Sequence, residues 1–130
     1  MLVFIIMLVK ELMKMPYVID KDINLGEAAK IMFQKGIGSL IFVVRGKVKG
    51  LVTRGDLLKH FGEKKKISQI MNKNVLTISG EETIDDALHI MRENKIKRLP
   101  VIDEKKNLVG IISMIDIANN YDKLDGEFFF

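Results

Sequence analysis

The sequence predicts a mixed α/β (α+β) chain in which one β-α-β-β-α unit of about sixty residues is written twice. Three observations lead there. Displaced by 59 positions, Ile19, Ala28, Ile31, Met32, Ile37 and Leu40 fall on Ile78, Ala87, Ile90, Met91, Ile96 and Leu99. One extra residue in the second hairpin loop raises the displacement to 60, and Gly50, Thr53 and Asp56 then meet Gly110, Ser113 and Asp116. Within each copy, short apolar runs alternate with segments of helical periodicity that open on capping residues.

Each element follows from its own residues. Tyr17 to Ile19 and Leu76 to Ile78 are apolar runs of strand length. Asn24-Leu-Gly-Glu27 and Thr83-Ile-Asp-Asp86 set a cap residue three positions ahead of an acid, the pattern that opens a helix. Leu25, Ala28, Ala29 and Met32 then repeat at helical spacing, as do Ile84, Ala87, Leu88 and Met91; that spacing makes them core residues. Gly36 ends the first helix, and the second stops near Asn94-Lys95 without a glycine. Leu40 to Val44 and Val48 to Val52 form a hairpin around Gly46, and Leu99 to Ile102 and Leu108 to Ile112 form another around Asn107. Helices Asp56 to Phe61 and Asp116 to Tyr121 close the copies. A shift of 58 also matches Val9-Lys-Glu-Leu-Met13 with Ile67-Ser-Gln-Ile-Met71. The boundaries are therefore repeat 1 at 9–61, a Lys-rich linker at 62–66, repeat 2 at 67–121, and terminal extensions at 1–8 and 122–130. A unit this small leaves a sheet face uncovered, so the two copies are expected to pair about a pseudo-twofold axis.

Composition narrows the function. The 130 residues are 48% apolar and 29% charged, as in a globular chain. Without Cys there is no disulfide framework or thiolate metal site, which fits a reducing, cytoplasmic location. His60 and His89 are too few and too far apart for a metal centre, so no metal is expected. No nucleophile–base arrangement or Walker loop is present, which argues against an enzyme. A net charge of +4 and a pI near 9.3 favour phosphates and acidic partners. Nucleic-acid binding is the weaker reading, because aromatic residues are only 7% and no groove-reading motif appears. The nine apolar residues Met1 to Val9 fall short of the ~20 that span a bilayer, and they lack the basic lead and cleavage site of a secretory signal. No membrane association is expected.

The stretch with chemical content is Gly50-Leu-Val-Thr-Arg-Gly-Asp56, echoed by Gly110-Ile-Ile-Ser-Met-Ile-Asp116. Each ends an apolar strand in a hydroxyl and places a carboxylate three residues later. As a capping box this would stabilise a helix by ~1 kcal/mol. The same groups could hold a ribose, with the helix start favouring a phosphate. Spacing alone does not separate the two readings.

The order of these pieces resembles pairs of cystathionine-β-synthase-type (CBS) domains over residues 9 to 121. The matching pieces are Leu12-Met13 and Ile70-Met71, Lys-Gly-Ile-Gly-Ser-Leu at 35–40, Lys-Ile-Lys-Arg-Leu-Pro-Val-Ile-Asp at 95–103, and the two Gly…Thr/Ser…Asp segments. The resemblance implies a Bateman-type regulatory module with two nucleotide clefts between the repeats. One would join Ser113 and Asp116 with Tyr17, Val18, Ile37, Gly38, Ser39 and Arg98; the other would join Thr53 and Asp56 with Leu76, Thr77, Ile96, Lys97 and Pro100. It further implies an adenine nucleotide (AMP, ADP or ATP) or S-adenosylmethionine as a regulatory ligand rather than a catalytic cofactor. A homodimer regulating an enzyme or transporter in trans is the expected assembly; a ligand-free dimerisation module and a nucleic-acid-binding CBS protein are the alternatives. The second copy departs from the first at Pro100 (Ile41 in the first) and at Lys97-Arg98 (Gly38-Ser39), which puts equal occupancy in doubt. The apolar ends, Met1 to Val9 with its β-rich Val3-Phe4-Ile5-Ile6 and Phe128 to Phe130, suit a subunit contact or packing on the chain's own repeats.

Overall fold

A computed structural model of the chain describes residues 6–120. In chain order the elements are α1 (Val9–Leu12), β1 (Val18–Ile19), α2 (Leu25–Lys35), β2 (Ser39–Val44), β3 (Lys47–Thr53) and α3 (Arg54–Lys59). They are followed by α4 (Ile67–Ile70), β4 (Ile78–Ser79), α5 (Ile84–Asn94), β5 (Arg98–Ile102), β6 (Leu108–Ser113) and α6 (Met114–Asn119). The strands form two three-stranded sheets, β1-β2-β3 and β4-β5-β6, so the predicted mixed fold of two like repeats is present. In each sheet the first pairing is parallel and the second is an antiparallel hairpin.

Local chemistry sets the ends of these elements. Asn24 caps α2 by accepting from Glu27 N at 2.9 Å, and Thr83 caps α5 by accepting from Asp86 N at 3.1 Å. Asp86 reciprocates at Thr83 N over 3.2 Å, and the Thr83 bond holds its carboxyl below the usual carboxylate range. Gly36 closes α2 in the left-handed region at φ 63°, whereas Lys95 does the same for α5 at φ 53° without glycine's freedom. Arg45 and Gly46, both at positive φ, make the two-residue turn between β2 and β3. The second hairpin loop is instead organised by Asp103, whose Oδ1 accepts from Lys105 N and Asn107 N, each at 2.9 Å.

Two details differ from the sequence reading. The closing helices begin at Arg54 and Met114, two residues earlier than predicted, because Thr53 and Ser113 are N-caps and Asp56 and Asp116 stand at the third helical position. The first ends at Lys59 rather than Phe61, and Tyr121 lies outside the described residues. The short helices α1 and α4 were not anticipated. Each is one turn long, and a side chain returns to its start: Glu11 Oε2 accepts from Leu8 N at 2.6 Å and Gln69 Oε1 from Lys66 N at 2.8 Å.

These one-turn helices decide how the chain is partitioned. It forms two compact units, one of Pro16–Val75 and one that joins residues 6–15 to residues 76–120. Compact units and sequence repeats are thus offset by one element. α1 opens repeat 1 but buries Val9 and Leu12 with Ile84, Ala87, Met91, Leu99 and Ile112 of repeat 2. α4 opens repeat 2 but buries Ile67 with Ala28, Met32, Leu40 and Val52 of repeat 1. The docking bonds match as well. Val9 N donates to Glu82 O at 2.8 Å and Ile84 N to Met7 O at 2.9 Å; Ile67 N donates to Ile23 O at 2.9 Å and Leu25 N to Lys65 O at 3.2 Å. Val9 and Ile67 are each fully buried, which is worth ~1.5–3 kcal/mol per side chain.

The same segments explain two glycines. Met13 lies over Gly110 and Met71 over Gly50, so closely that a side chain at either glycine has no room. Of the apolar N-terminal run, Met7 packs on the second-repeat core and Ile6 is exposed. The rest of the predicted strand Val3 to Ile6, with Phe128 to Phe130, lies outside the described residues. No helix among the described residues is long and apolar enough to cross a membrane.

Gly110→Ala should lower stability by ~1–3 kcal/mol, since its Cβ would stand 2.5 Å from Met13 Sδ and 3.2 Å from Met13 Cβ. Urea unfolding checks this, and an unchanged midpoint would contradict the close packing. A second test concerns Asp22, whose carboxylate accepts from Ser68 Oγ at 2.5 Å and Ser68 N at 3.0 Å and ties α4 to its unit. These bonds, with a smaller contribution from Lys66, lower its pKa. A depressed folded pKa stabilises above the unfolded value, and that contribution is lost as pH falls through the folded one. Ser68→Ala should therefore raise the Asp22 midpoint in a carboxyl NMR titration; no movement would refute the assignment.

Candidate functional site

Where β3 runs into α3, Thr53 and Asp56 form a closed pair. Asp56 N donates to Thr53 Oγ1 at 3.3 Å, and Asp56 Oδ2 accepts from Thr53 N at 2.9 Å and Thr53 Oγ1 at 3.0 Å. Where β6 runs into α6, Asp116 N donates to Ser113 Oγ at 3.1 Å, and Ser113 Oγ donates to Asp116 Oδ2 at 2.7 Å. Both pairs therefore perform the capping function. Capping employs one carboxylate oxygen of each Asp, so the other is left to face something else.

What it faces differs between the units. Asp116 is buried, and its Oδ1 receives Lys14 Nζ at 2.7 Å. Lys14 reaches it because its backbone is bound to the edge of β6: Lys14 N donates to Ile111 O and Ile111 N to Lys14 O, both at 2.9 Å. In the other unit Asn72 occupies the matching place, bound to Leu51 by the same two backbone bonds at 2.9 and 3.0 Å. Its side chain turns to Asn74 N at 3.0 Å, and Asp56 has no ion-pair partner among the described residues. Lys14 was missed by the sequence reading. The 58-residue match ended at Met13 and Met71, one position short of the Lys14/Asn72 difference.

The other expected residues divide between the units. Tyr17, Val18, Ile37, Gly38 and Ser39 share a unit with Thr53 and Asp56. Gly38 O accepts from Arg54 N at 3.1 Å, Ser39 pairs with Thr53, and Tyr17 O accepts from Ile41 N at 3.4 Å. Tyr17 and Val18 are exposed, and Lys35 Nζ stands 5.7 Å from the Tyr17 ring centroid. Leu76, Thr77, Ile96, Lys97, Arg98 and Pro100 share the other unit with Ser113 and Asp116. Lys97 O accepts from Met114 N at 2.9 Å, and Arg98 pairs with Ser113. Pro100 is fully buried on the central strand and offers no N–H where Ile41 bonds Tyr17. Each predicted cleft takes one half from each unit, and each half is a feature of its own unit. No group of three or more His, Cys, Asp or Glu that could hold a metal occurs among the described residues.

The chain is similar to known proteins in sequence and fold. The CBS domain family model matches residues 9–63 and 67–123. L-aspartate semialdehyde sulfurtransferase of Methanocaldococcus jannaschii is 35% identical over 116 residues, 87% of this chain but 23% of that protein. The chain thus spans about a quarter of that relative's length. The crystal structure of the CBS domain pair of protein MJ0100, in complex with 5′-methylthioadenosine and S-adenosyl-L-methionine, superposes with a TM-score of 0.85 at 34% identity, covering 92% of this chain and 98% of that one. The CBS-domain protein ATU1752 of Agrobacterium tumefaciens superposes with a TM-score of 0.77 at 28% identity, over 88% and 98% of the two chains. The chain belongs to the CBS domain family and carries two copies of the domain.

Proposed function

We propose that this chain is a regulatory module that binds adenosine-containing ligands and catalyses nothing itself. The observation that carries the reading is the hydroxyl–carboxylate pair repeated at the same strand-to-helix junction, Thr53–Asp56 and Ser113–Asp116. A carboxylate with an oxygen beyond its cap can accept from ribose hydroxyls, and charge-assisted bonds of this kind are the strong ones. The adenosyl compounds held by the MJ0100 domain pair support the same ligand class. Tyr17, Val18, Ile37, Gly38 and Ser39, with Leu76, Thr77, Ile96, Lys97, Arg98 and Pro100, are the proposed remaining contacts.

The module is further proposed to be a cytoplasmic homodimer acting on an enzyme or transporter in trans. Support for a subunit contact comes from α2, α3 and the turn after α3, where Phe33, Leu58 and Phe61 are 88%, 74% and 87% exposed. Large apolar side chains so exposed suit a subunit contact better than water. Light scattering should report a dimer; a chain that stays monomeric at high micromolar concentration would end this part of the proposal.

Calorimetry tests the central reading. AMP, 5′-methylthioadenosine or S-adenosylmethionine should bind at micromolar concentration, roughly −7 to −8 kcal/mol. Asp56→Ala should weaken its own site by ~1.5–3 kcal/mol. No heat with all three compounds, or an Asp56→Ala chain that melts earlier yet binds unchanged, would leave capping as the pair's whole role.

A further inference from the structure

Lys14 distinguishes the two hydroxyl–carboxylate pairs, and it belongs to no predicted site. We propose that Lys14 makes the Ser113–Asp116 site selective for phosphorylated adenosines, and that Asn72, its counterpart, leaves the Thr53–Asp56 site to adenosyl compounds without a phosphate. The inference rests on the adenosine-binding reading and adds the ligand class of each site.

The Lys14 ammonium lies 2.7 Å from Asp116 Oδ1, so the buried carboxylate is compensated before any ligand arrives. An ammonium has three donors, and this contact employs one. With its side chain 67% exposed, Lys14 keeps the remainder for an anionic group beside the ribose. Its placement is anchored, because two backbone bonds pin residue 14 to Ile111 on the strand that leads to Ser113. Arg98, which pairs with Ser113, brings a further cation to this end of the sheet, at the position of Ser39 in the other unit.

At the Thr53–Asp56 junction the balance is reversed. Asp56 has no ion-pair partner among the described residues, and Asn72 brings no charge. Arg54, where the other unit has Met114, is the basic residue next to Thr53, and it is exposed without an ion pair to Asp56. An uncompensated carboxylate repels a nearby phosphate and tolerates a neutral thioether or a sulfonium.

The test is a site-resolved NMR titration of the full chain, following the Asp116 and Asp56 backbone amides with AMP and with 5′-methylthioadenosine. Lys14→Asn should weaken AMP at Asp116 by about tenfold and change 5′-methylthioadenosine by less than about twofold. The reciprocal Asn72→Lys should strengthen AMP at Asp56, and it carries the test if Lys14→Asn fails to fold. An AMP-to-methylthioadenosine ratio unmoved by either substitution overturns the inference while leaving adenosine binding intact. Wild-type protein whose two amides respond to neither compound overturns both.

Discussion

The docking of two short segments, residues 7–14 and 65–72, is the constraint on which the rest of this structure depends. Each supplies a fully buried side chain, Val9 or Ile67, to the core of the other repeat rather than of the one it opens. Each carries a methionine over a glycine of the third strand, Met13 on Gly110 and Met71 on Gly50. Neither sheet would have its edge strand covered without them, since β6 bonds Lys14 and β3 bonds Asn72. A repeat taken alone by its sequence limits therefore lacks part of its own core.

That docking also sets the chemistry of the two junctions. A helix cap normally fulfils a stabilising role and stops there, at ~1 kcal/mol. Here the segment docked beside the cap brings an ammonium to the capping carboxylate's second oxygen in one unit, while in the other Asp56 has no ion pair among the described residues. The Lys14/Asn72 difference, with Lys97-Arg98 in place of Gly38-Ser39 and Met114 in place of Arg54, distinguishes two junctions that share a hydroxyl–carboxylate cap.

Most of the fold was legible because the repeat is marked by residues with strong local requirements. Asn24, Thr83, Gly36 and Gly46 each announce an end or a turn through backbone chemistry, and the structure places each where that chemistry predicts. The one-turn helices were not legible, because four residues are too few to display a helical period. Their destinations were less legible still: nothing in Val9-Lys-Glu-Leu says that it packs with Met91 rather than Met32. The hydroxyl–carboxylate pairs were readable as spacing, and the structure adds that both are genuine caps. Lys14 escaped notice because its importance lies in a contact with Asp116, 102 positions along the chain, which no local pattern records.

In the function proposed above, these capped carboxylates are ligand sites as well as caps. Amide chemical-shift mapping of the full chain during titration with 5′-methylthioadenosine addresses it most directly. Saturable shifts are expected, largest at one or both of the junctions Thr53 to Asp56 and Ser113 to Asp116. Saturable shifts that leave both junctions untouched, or no shifts at millimolar ligand, would contradict it.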